Sequence, residues 1–209
     1  MDLKLIYGNM RALCEAPQMM LHYADIPYEY KMVWDHYGSS WAEVKKDIIF
    51  NRLPILIINE DKYLWQSNTI IRYLSNLTKT KPSDEFQLAY CDAVFESTHE
   101  MFSPLNPTIN MTFGEKYNSN KKKLLEDILP NSLNNFEKLL QNSSGNFFIG
   151  NDPFYCDFNA YHHFSMCLIL DKNIFSNFPN LKKFINNFEK LNNVKNYLDG
   201  RPELVELGK

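Results

Sequence analysis

Strand-forming patterns occur only near the start of the chain, and this uneven distribution limits the folds available to it. Leu3-Lys4-Leu5-Ile6-Tyr7 has the pattern of a short buried strand, and Tyr28 to Val33 alternates in the same way. The β-branched run Ile55 to Ile58 follows Leu53-Pro54 and predicts a third strand. After an Asn-Glu-Asp turn, Lys62-Tyr63-Leu64 returns as its hairpin partner.

Helical patterns separate these strands. Arg11 to Ala24 carries an apolar face that ends near a proline, a short helix begins near Trp41, and Ser67 to Leu77 closes the series. The resulting order is βαβ-α-ββα. It predicts a small mixed sheet that starts with a right-handed parallel crossover.

The rest of the chain has a different character. Residues 79–84 are polar, contain a proline and form the predicted linker between an N-terminal domain (1–78) and a second domain (85–209). The second domain is predicted to be all-helical, and the segments 117–123 and 142–146 to be solvated loops. Its predicted helices cover 85–112, 120–142, 154–170, 178–188 and 190–198.

Composition excludes several function classes. A formal net charge of -3 argues against a nucleic-acid binder, which would carry a basic face. No apolar run approaches the roughly 20 residues that cross a bilayer, and the first residues lack the apolar core of a secretory signal.

The cysteines and histidines give no sign of a metal site or a disulfide. Cys14, Cys91, Cys156 and Cys167 include no CxxC pair, so we expect free thiols in a reducing, cytoplasmic compartment. The adjacent pair His162-His163 would point about 100° apart on a helix, which favours a structural or surface role over metal binding.

An ordered set of short motifs resembles the cytosolic glutathione transferases of the tyrosine type, sigma-like with some mu-like features. The set spans nearly the whole chain and consists of Tyr7-Gly8-Asn9-Met10-Arg11, Tyr28-Glu29, Trp41-Ala42-Glu43-Val44-Lys45, Leu53-Pro54, Gln66-Ser67-Asn68, Phe148-Ile149-Gly150-Asn151 and Asp157-Phe158. The resemblance implies a thioredoxin-like N-terminal domain followed by an all-helical domain. It also implies a cytoplasmic homodimer that uses glutathione, and no metal, to detoxify small hydrophobic electrophiles.

Two motifs would hold the glutathione backbone and its γ-glutamyl end. The resemblance implies a cis peptide bond before Pro54, which exposes the backbone of Leu53 as a strand edge that a peptide can pair with. Gln66 and Ser67 precede an apolar helix whose free N–H groups favour an anion, and the resemblance places the γ-glutamyl carboxylate there. Plain helix capping explains Ser67 equally well.

The other end of glutathione involves three more residues. Trp41 and Lys45 lie one helical turn apart, and the resemblance places the glycine carboxylate beside them. A solvated lysine next to a buried tryptophan is the alternative explanation of that pair. The family's aspartate that reaches the amine of the partner subunit's glutathione corresponds to Glu100, which keeps the charge but is one methylene longer.

Tyr7, at the end of the first strand, is the predicted catalytic residue. A thiol has a pKa near ~8.5 and a tyrosine near ~10, so a neutral phenol can donate a hydrogen bond to a thiolate at neutral pH. That bond lowers the pKa of the thiol and raises the concentration of the nucleophile. Without the other motifs, a core tyrosine would be the simpler interpretation.

The pattern departs from the family around the second-substrate pocket. Gly8 replaces a frequent aromatic residue and should open the pocket floor, and Leu13 stands where many sigma-type members have an arginine that supports the thiolate. The predicted pocket wall consists of Gly8, Leu13, Phe102 and Pro107.

A second departure concerns a helix start. The family places serine or threonine three residues before the aspartate that corresponds to Asp157, but this chain has Phe154 there, which cannot accept a hydrogen bond. We expect Asp152 to cap the helix instead, with Pro153 at its first position.

Other functions fit part of the same pattern. A sigma-type isomerase acting on a prostaglandin-like endoperoxide, or a peroxidase, would use the same thiolate. A non-catalytic ligand carrier or a crystallin-like structural protein belongs to another class, but it would not need Tyr7. The pattern does not favour a thioredoxin or glutaredoxin, because the helix after the first strand has only Cys14 and no partner cysteine.

Overall fold

The N-terminal half is built on a four-stranded mixed sheet. The structure, a computed structural model, describes residues 1–201. The strands are β1 (Leu3–Tyr7), β2 (Glu29–Met32), β3 (Ile55–Ile58) and β4 (Lys62–Trp65), in the spatial order β2-β1-β3-β4. β1 and β2 are parallel, whereas β3 is antiparallel to both β1 and β4. The predicted strand topology is confirmed.

Alternating side chains of this sheet face two separate apolar clusters. Leu5 and Leu56 belong to the main core, which extends into the helical half of the molecule. Ile6 and Ile55 point to the opposite face and pack with Val33. Because side chains alternate along a strand, Tyr7 lies on the same face as Leu5, towards the helical half.

Four helices complete the N-terminal half. They are α1 (Glu15–Tyr23), α2 (Val33–Tyr37), α3 (Trp41–Val44) and α4 (Ser67–Leu77). The first predicted helix begins differently, because Ala12–Cys14 forms a 3-10 turn ahead of α1. The helix α2 was not predicted, since its five residues are too short for a helical period to be recognised.

The remaining described chain is helical. Its helices are α5 (Glu85–Met111), α6 (Gly114–Lys123), α7 (Leu129–Gln141), α8 (Tyr155–Leu170), α9 (Pro179–Phe188) and α10 (Asn192–Gly200). A π-helical turn, Leu124–Ile128, joins α6 to α7. The loop predicted over 117–123 is wrong: this stretch is helical although it buries no side chain, and three lysines in its last turn suit the negative end of the helix dipole.

The start of α8 corrects the predicted cap. The buried carboxylate of Asp157 accepts the N–H groups of Phe154 (2.8 Å) and Phe148 (3.1 Å), while the N–H of Tyr155 donates to the Thr80 carbonyl (2.9 Å). Asp152 is exposed and does not cap the helix, which begins after Pro153. Burial raises the pKa of Asp157 to about 7, and the two N–H donors oppose that shift.

Asp157→Ala should lower the free energy of unfolding by about 3 kcal/mol, because two N–H groups would lose their acceptor. Urea denaturation measures the loss. Asp152→Ala is the matched control and should change stability by less than about 0.5 kcal/mol. Equal losses in the two variants would contradict this assignment of the cap.

Candidate active site

Three predicted site residues form a row across one end of the sheet. The pairs Ile6–Ile55 and Ile55–Trp65 are the last of the two antiparallel ladders at this end. The residues next to these pairs at this end of the sheet are Tyr7 after Ile6, Pro54 before Ile55 and Gln66 after Trp65. Because neighbouring strands are spaced about 4.8 Å apart, the row spans about 10 Å, which is the length of an extended tripeptide.

The hydroxyl of Tyr7 is held at the end of β1 by a backbone donor. Its oxygen accepts a hydrogen bond from the Leu13 N–H (3.2 Å), and the side chain is 6% exposed. Burial raises the pKa of Tyr7 well above the ordinary tyrosine value. The phenol is therefore neutral at physiological pH, and its proton points to no acceptor within residues 1–201. This proton can be donated to a ligand.

The peptide bond between Leu53 and Pro54 is cis, as predicted. Within the described residues, the N–H and C=O groups of Leu53 form no hydrogen bond to the protein backbone. The side chains of Leu53 and Trp41 both pack against the apolar cluster on the Ile6 side of the sheet. These two predicted ligand residues therefore lie in one cluster, at the same end of the sheet as Pro54.

The start of α4 combines free N–H groups with an unusual backbone conformation. Gln66 precedes the helix with φ 70° and ψ 118°, a region that non-glycine residues rarely adopt. Ser67 is 8% exposed, and its hydroxyl lies 3.5 Å from the side-chain oxygen of Asn68. The first N–H groups of a helix have no partner inside it, so this terminus can receive a carboxylate.

Trp41 and Lys45 lie at the two ends of α3. Glu43 caps this helix by accepting hydrogen bonds from the N–H (3.0 Å) and hydroxyl (2.7 Å) of Ser40. Trp41 is half-buried and Lys45 is exposed. The indole is thus fixed by packing, while the ammonium group is available to a charged ligand end.

The four residues of the predicted pocket wall differ in their exposure. A side chain at Gly8 would meet no atom within 4 Å, and Tyr30 donates a hydrogen bond to the Gly8 carbonyl (2.8 Å), which holds this open backbone in place. Leu13 and Pro107 are half-buried. Phe102 differs from expectation: it is 1% exposed and stacks on His163, with ring centroids 4.0 Å apart. Its ring fills the core and offers almost no surface to a ligand.

Glu100 lies on the surface of α5. It continues a stripe at four-residue spacing with Asp92 and Glu96, both of which bind Arg72 of α4. Glu100 is exposed and, within residues 1–201, has no cationic partner.

Sequence patterns missed the groups that support Tyr7. The Leu13 donor is a backbone N–H, which leaves no signature in residue identity. The Tyr30 contact to Gly8 could have been suspected, since β1 and β2 were predicted to be parallel neighbours.

Comparison with known proteins places these features in a family. Residues 1–76 match the model of the glutathione S-transferase N-terminal domain, and residues 99–201 match that of the C-terminal domain. A glutathione S-transferase of Plasmodium yoelii yoelii is 31% identical over 173 residues, covering 80% of this chain and 79% of its own. The chain belongs to the glutathione S-transferase family.

Further relatives agree over nearly the full length. Glutathione S-transferase P of Caenorhabditis elegans is 29% identical over 205 residues, which cover 96% of this chain and 94% of the relative. The Pi-class glutathione S-transferase of Onchocerca volvulus superposes with a TM-score of 0.84 at 26% identity, covering 96% of this chain and 94% of that one. Mu-type relatives also match, so the subclass remains a prediction.

Neither a metal site nor a membrane span is found in the described part of the chain. Residues 1–201 contain no group of three or more His, Cys, Asp or Glu side chains that could hold a metal ion. None of the helices in this range has both the length and the apolar character needed to cross a bilayer. All four cysteines are buried and unpaired.

Gln66→Ala and Gln66→Gly should both raise the KM for glutathione, because each removes the side chain at the helix start. Their stabilities should differ. Glycine adopts positive φ without cost, so Gln66→Gly should be about 1 kcal/mol more stable than Gln66→Ala. Urea denaturation and initial-rate kinetics measure the two effects, and equal stability would contradict a strained Gln66.

Proposed function

We propose that this chain transfers the glutathione thiolate to small hydrophobic electrophiles and that the Tyr7 hydroxyl activates the thiol. Membership in the glutathione S-transferase family supports the transferase activity and the use of glutathione as co-substrate. The observation that carries the proposed mechanism is the Tyr7 hydroxyl, whose oxygen accepts the Leu13 N–H and whose proton remains available.

The energetic role of Tyr7 follows from its neutral state. A buried phenol whose pKa is raised by burial stays protonated when a thiolate forms beside it. Donation of its proton into a hydrogen bond stabilises the negative sulfur more than the neutral thiol. The thiol then ionises at lower pH, and the thiolate attacks the electrophile without further proton removal.

The row at the end of the sheet suits an extended glutathione. We place its backbone along Leu53, its γ-glutamyl carboxylate at Gln66 and Ser67, and its glycine carboxylate near Trp41 and Lys45. The free backbone groups of Leu53 and the open start of α4 support this placement. The exposed Lys45 supplies the positive charge for the glycine end.

The acceptor would approach over Gly8, between Leu13 and Pro107. The space at Gly8 and the half-buried apolar side chains support a small hydrophobic electrophile there. Structures of a rat protein, hPGDS complexed with a quinoline, and of prostaglandin synthase D of Nilaparvata lugens share the fold at 24% and 20% identity. At these identities they support the fold alone, so conjugation remains the proposed reaction. We assign the enzyme to detoxification in the cytoplasm.

Tyr7→Phe should keep the KM for glutathione within about twofold and lower kcat by about 100-fold, because only the thiolate loses a hydrogen bond. Conjugation kinetics measure the rate, and the ultraviolet absorbance of the bound thiolate against pH measures the thiol pKa. That pKa should rise towards the free value of ~8.5. Full activity in the variant would remove Tyr7 from the mechanism.

We further propose that the enzyme is a homodimer in which Glu100 binds the amine of the partner subunit's glutathione. The support is that Glu100 extends the Asp92–Glu96 stripe but, within residues 1–201, lacks a cation of its own. A surface carboxylate without a cation beside it can bind the amine of a ligand that is held by another subunit.

Glu100→Gln should raise the KM for glutathione about threefold, the size expected for a partly exposed ion pair, and leave the elution volume of the dimer unchanged. The matched control is Glu115→Gln, an exposed position on α6. Size-exclusion chromatography and initial rates test both points. A monomeric wild type, or equal KM values for the two variants, would contradict the role of Glu100.

A further inference from the structure

A buried carboxylate lies at the first residue of α1, directly after the turn that supports Tyr7. Glu15 is 1% exposed. Its Oε2 accepts a hydrogen bond from the Tyr197 hydroxyl (3.0 Å), and its Oε1 accepts one from the Arg201 guanidinium. A carboxylate removed from water is costly unless it is bonded in this way, so Glu15 depends on both donors.

Both donors come from the end of the helical half. Asn193, Tyr197 and Arg201 recur every four residues and lie on one face of α10 and its C-cap. The Asn193 side chain donates to the Tyr23 carbonyl at the far end of α1 (3.4 Å), and the Tyr197 ring packs on His22 with centroids 4.5 Å apart. One polar face therefore holds α10 against α1. The last two residues of this face, Tyr197 and Arg201, are the ones that bind Glu15.

Glu15 connects to the Tyr7 hydroxyl through the 3-10 turn. Its backbone N–H donates to the Ala12 carbonyl, and Leu13, inside that turn, donates its N–H to Tyr7. Ala12 has φ 26°, outside the usual regions for a residue with a Cβ atom. Such a turn persists where its surroundings hold it, and the Glu15 side chain anchors its C-terminal end.

The surroundings of Glu15 include several other titratable groups. Burial and the neighbouring Arg201 lower the pKa of the Arg11 guanidinium. Burial, with Arg201 and Arg11 nearby, lowers the pKa of His162 on α8 to about 3, so this ring is neutral. The further neighbours, all with pKa values raised mainly by burial, are Cys14, Tyr28, Tyr161 and Tyr197. Arg11 and Arg201 are thus the cations of this cluster.

We propose that Glu15, held by Tyr197 and Arg201, is a positioning residue that keeps the Leu13 N–H against the Tyr7 hydroxyl and so sets how strongly the bound thiolate is stabilised. The inference rests on the proposed role of Tyr7 in conjugation. Glu15 touches neither glutathione nor the electrophile. Because Glu15 joins α10 to the Ala12–Cys14 turn, the packing of α10 affects the position of that turn. Thiol activation then depends on a helix outside the glutathione-binding half.

Tyr197→Phe tests the inference with the least disturbance, because it removes one hydroxyl and keeps the ring on His22. The apparent pKa of bound glutathione, followed by thiolate absorbance, should rise by about half a unit to one unit. At about pH 6.5 kcat should fall about fivefold and recover at higher pH, with the KM for glutathione within about twofold of wild type. Glu15→Gln should shift the thiol pKa in the same direction.

The matched control is Tyr155→Phe, which also removes a tyrosine-to-carboxylate hydrogen bond, that from Tyr155 to Asp92 (2.9 Å), but this bond joins α8 to α5 and does not involve Glu15. It should lose similar thermal stability and leave the thiol pKa unchanged. An unshifted thiol pKa in Tyr197→Phe, or an equal shift in the control, would overturn the inference. If wild-type protein shows no thiolate absorbance with glutathione, the proposed function itself fails.

Discussion

The hydrogen bond from the Leu13 N–H to the Tyr7 hydroxyl oxygen determines what that hydroxyl can do. Once the oxygen accepts this bond, one of its lone pairs is occupied, and the hydroxyl donates no hydrogen bond within residues 1–201. Burial keeps the phenol protonated, so the group acts as a donor and does not become a competing anion. The proposed glutathione site and the proposed acceptor space over Gly8 both depend on this one proton.

The sheet brings the parts of the site together through strand register. Tyr7, Pro54 and Gln66 are separated by 47 and 12 positions in the chain, yet the two antiparallel ladders place them in one row. The groups left without a backbone partner along this row are the N–H and C=O of Leu53 and the first N–H groups of α4. Leu53 and Trp41 both pack against the Ile6 cluster, which holds this backbone in place.

The helical half contributes more to the site than the wall of the proposed acceptor space. Phe102 and His163 fill its core with a stacked pair. At its far end, α10 extends a polar face to Glu15, which follows the Ala12–Cys14 turn. We infer from these contacts between the two halves that the helical half affects the position of the Tyr7 hydroxyl.

Much of the architecture could be predicted because local patterns carry it. The alternating strands, the apolar face of α4 and the turn before β4 are local features, and the strand topology they predicted is confirmed. The errors occurred where local preference is weak. The polar segment 117–123 is helical, and Asp157 caps α8 by accepting the N–H of Phe154 together with that of Phe148 in the preceding loop, a contact that the helix pattern does not show.

For the site, the sequence by itself determined which chemical groups are available: the Tyr7 phenol, the Pro54 bond, the Gln66-Ser67 helix start and the missing side chain at Gly8. Residue identity suffices for these because each depends on one or two positions. Only the tertiary structure decided that the Leu13 N–H donates to Tyr7, that Phe102 is buried in the core against His163 and that Glu15 accepts a hydrogen bond from Tyr197. Those contacts join backbone groups or residues up to 182 positions apart, and no local pattern encodes such pairings.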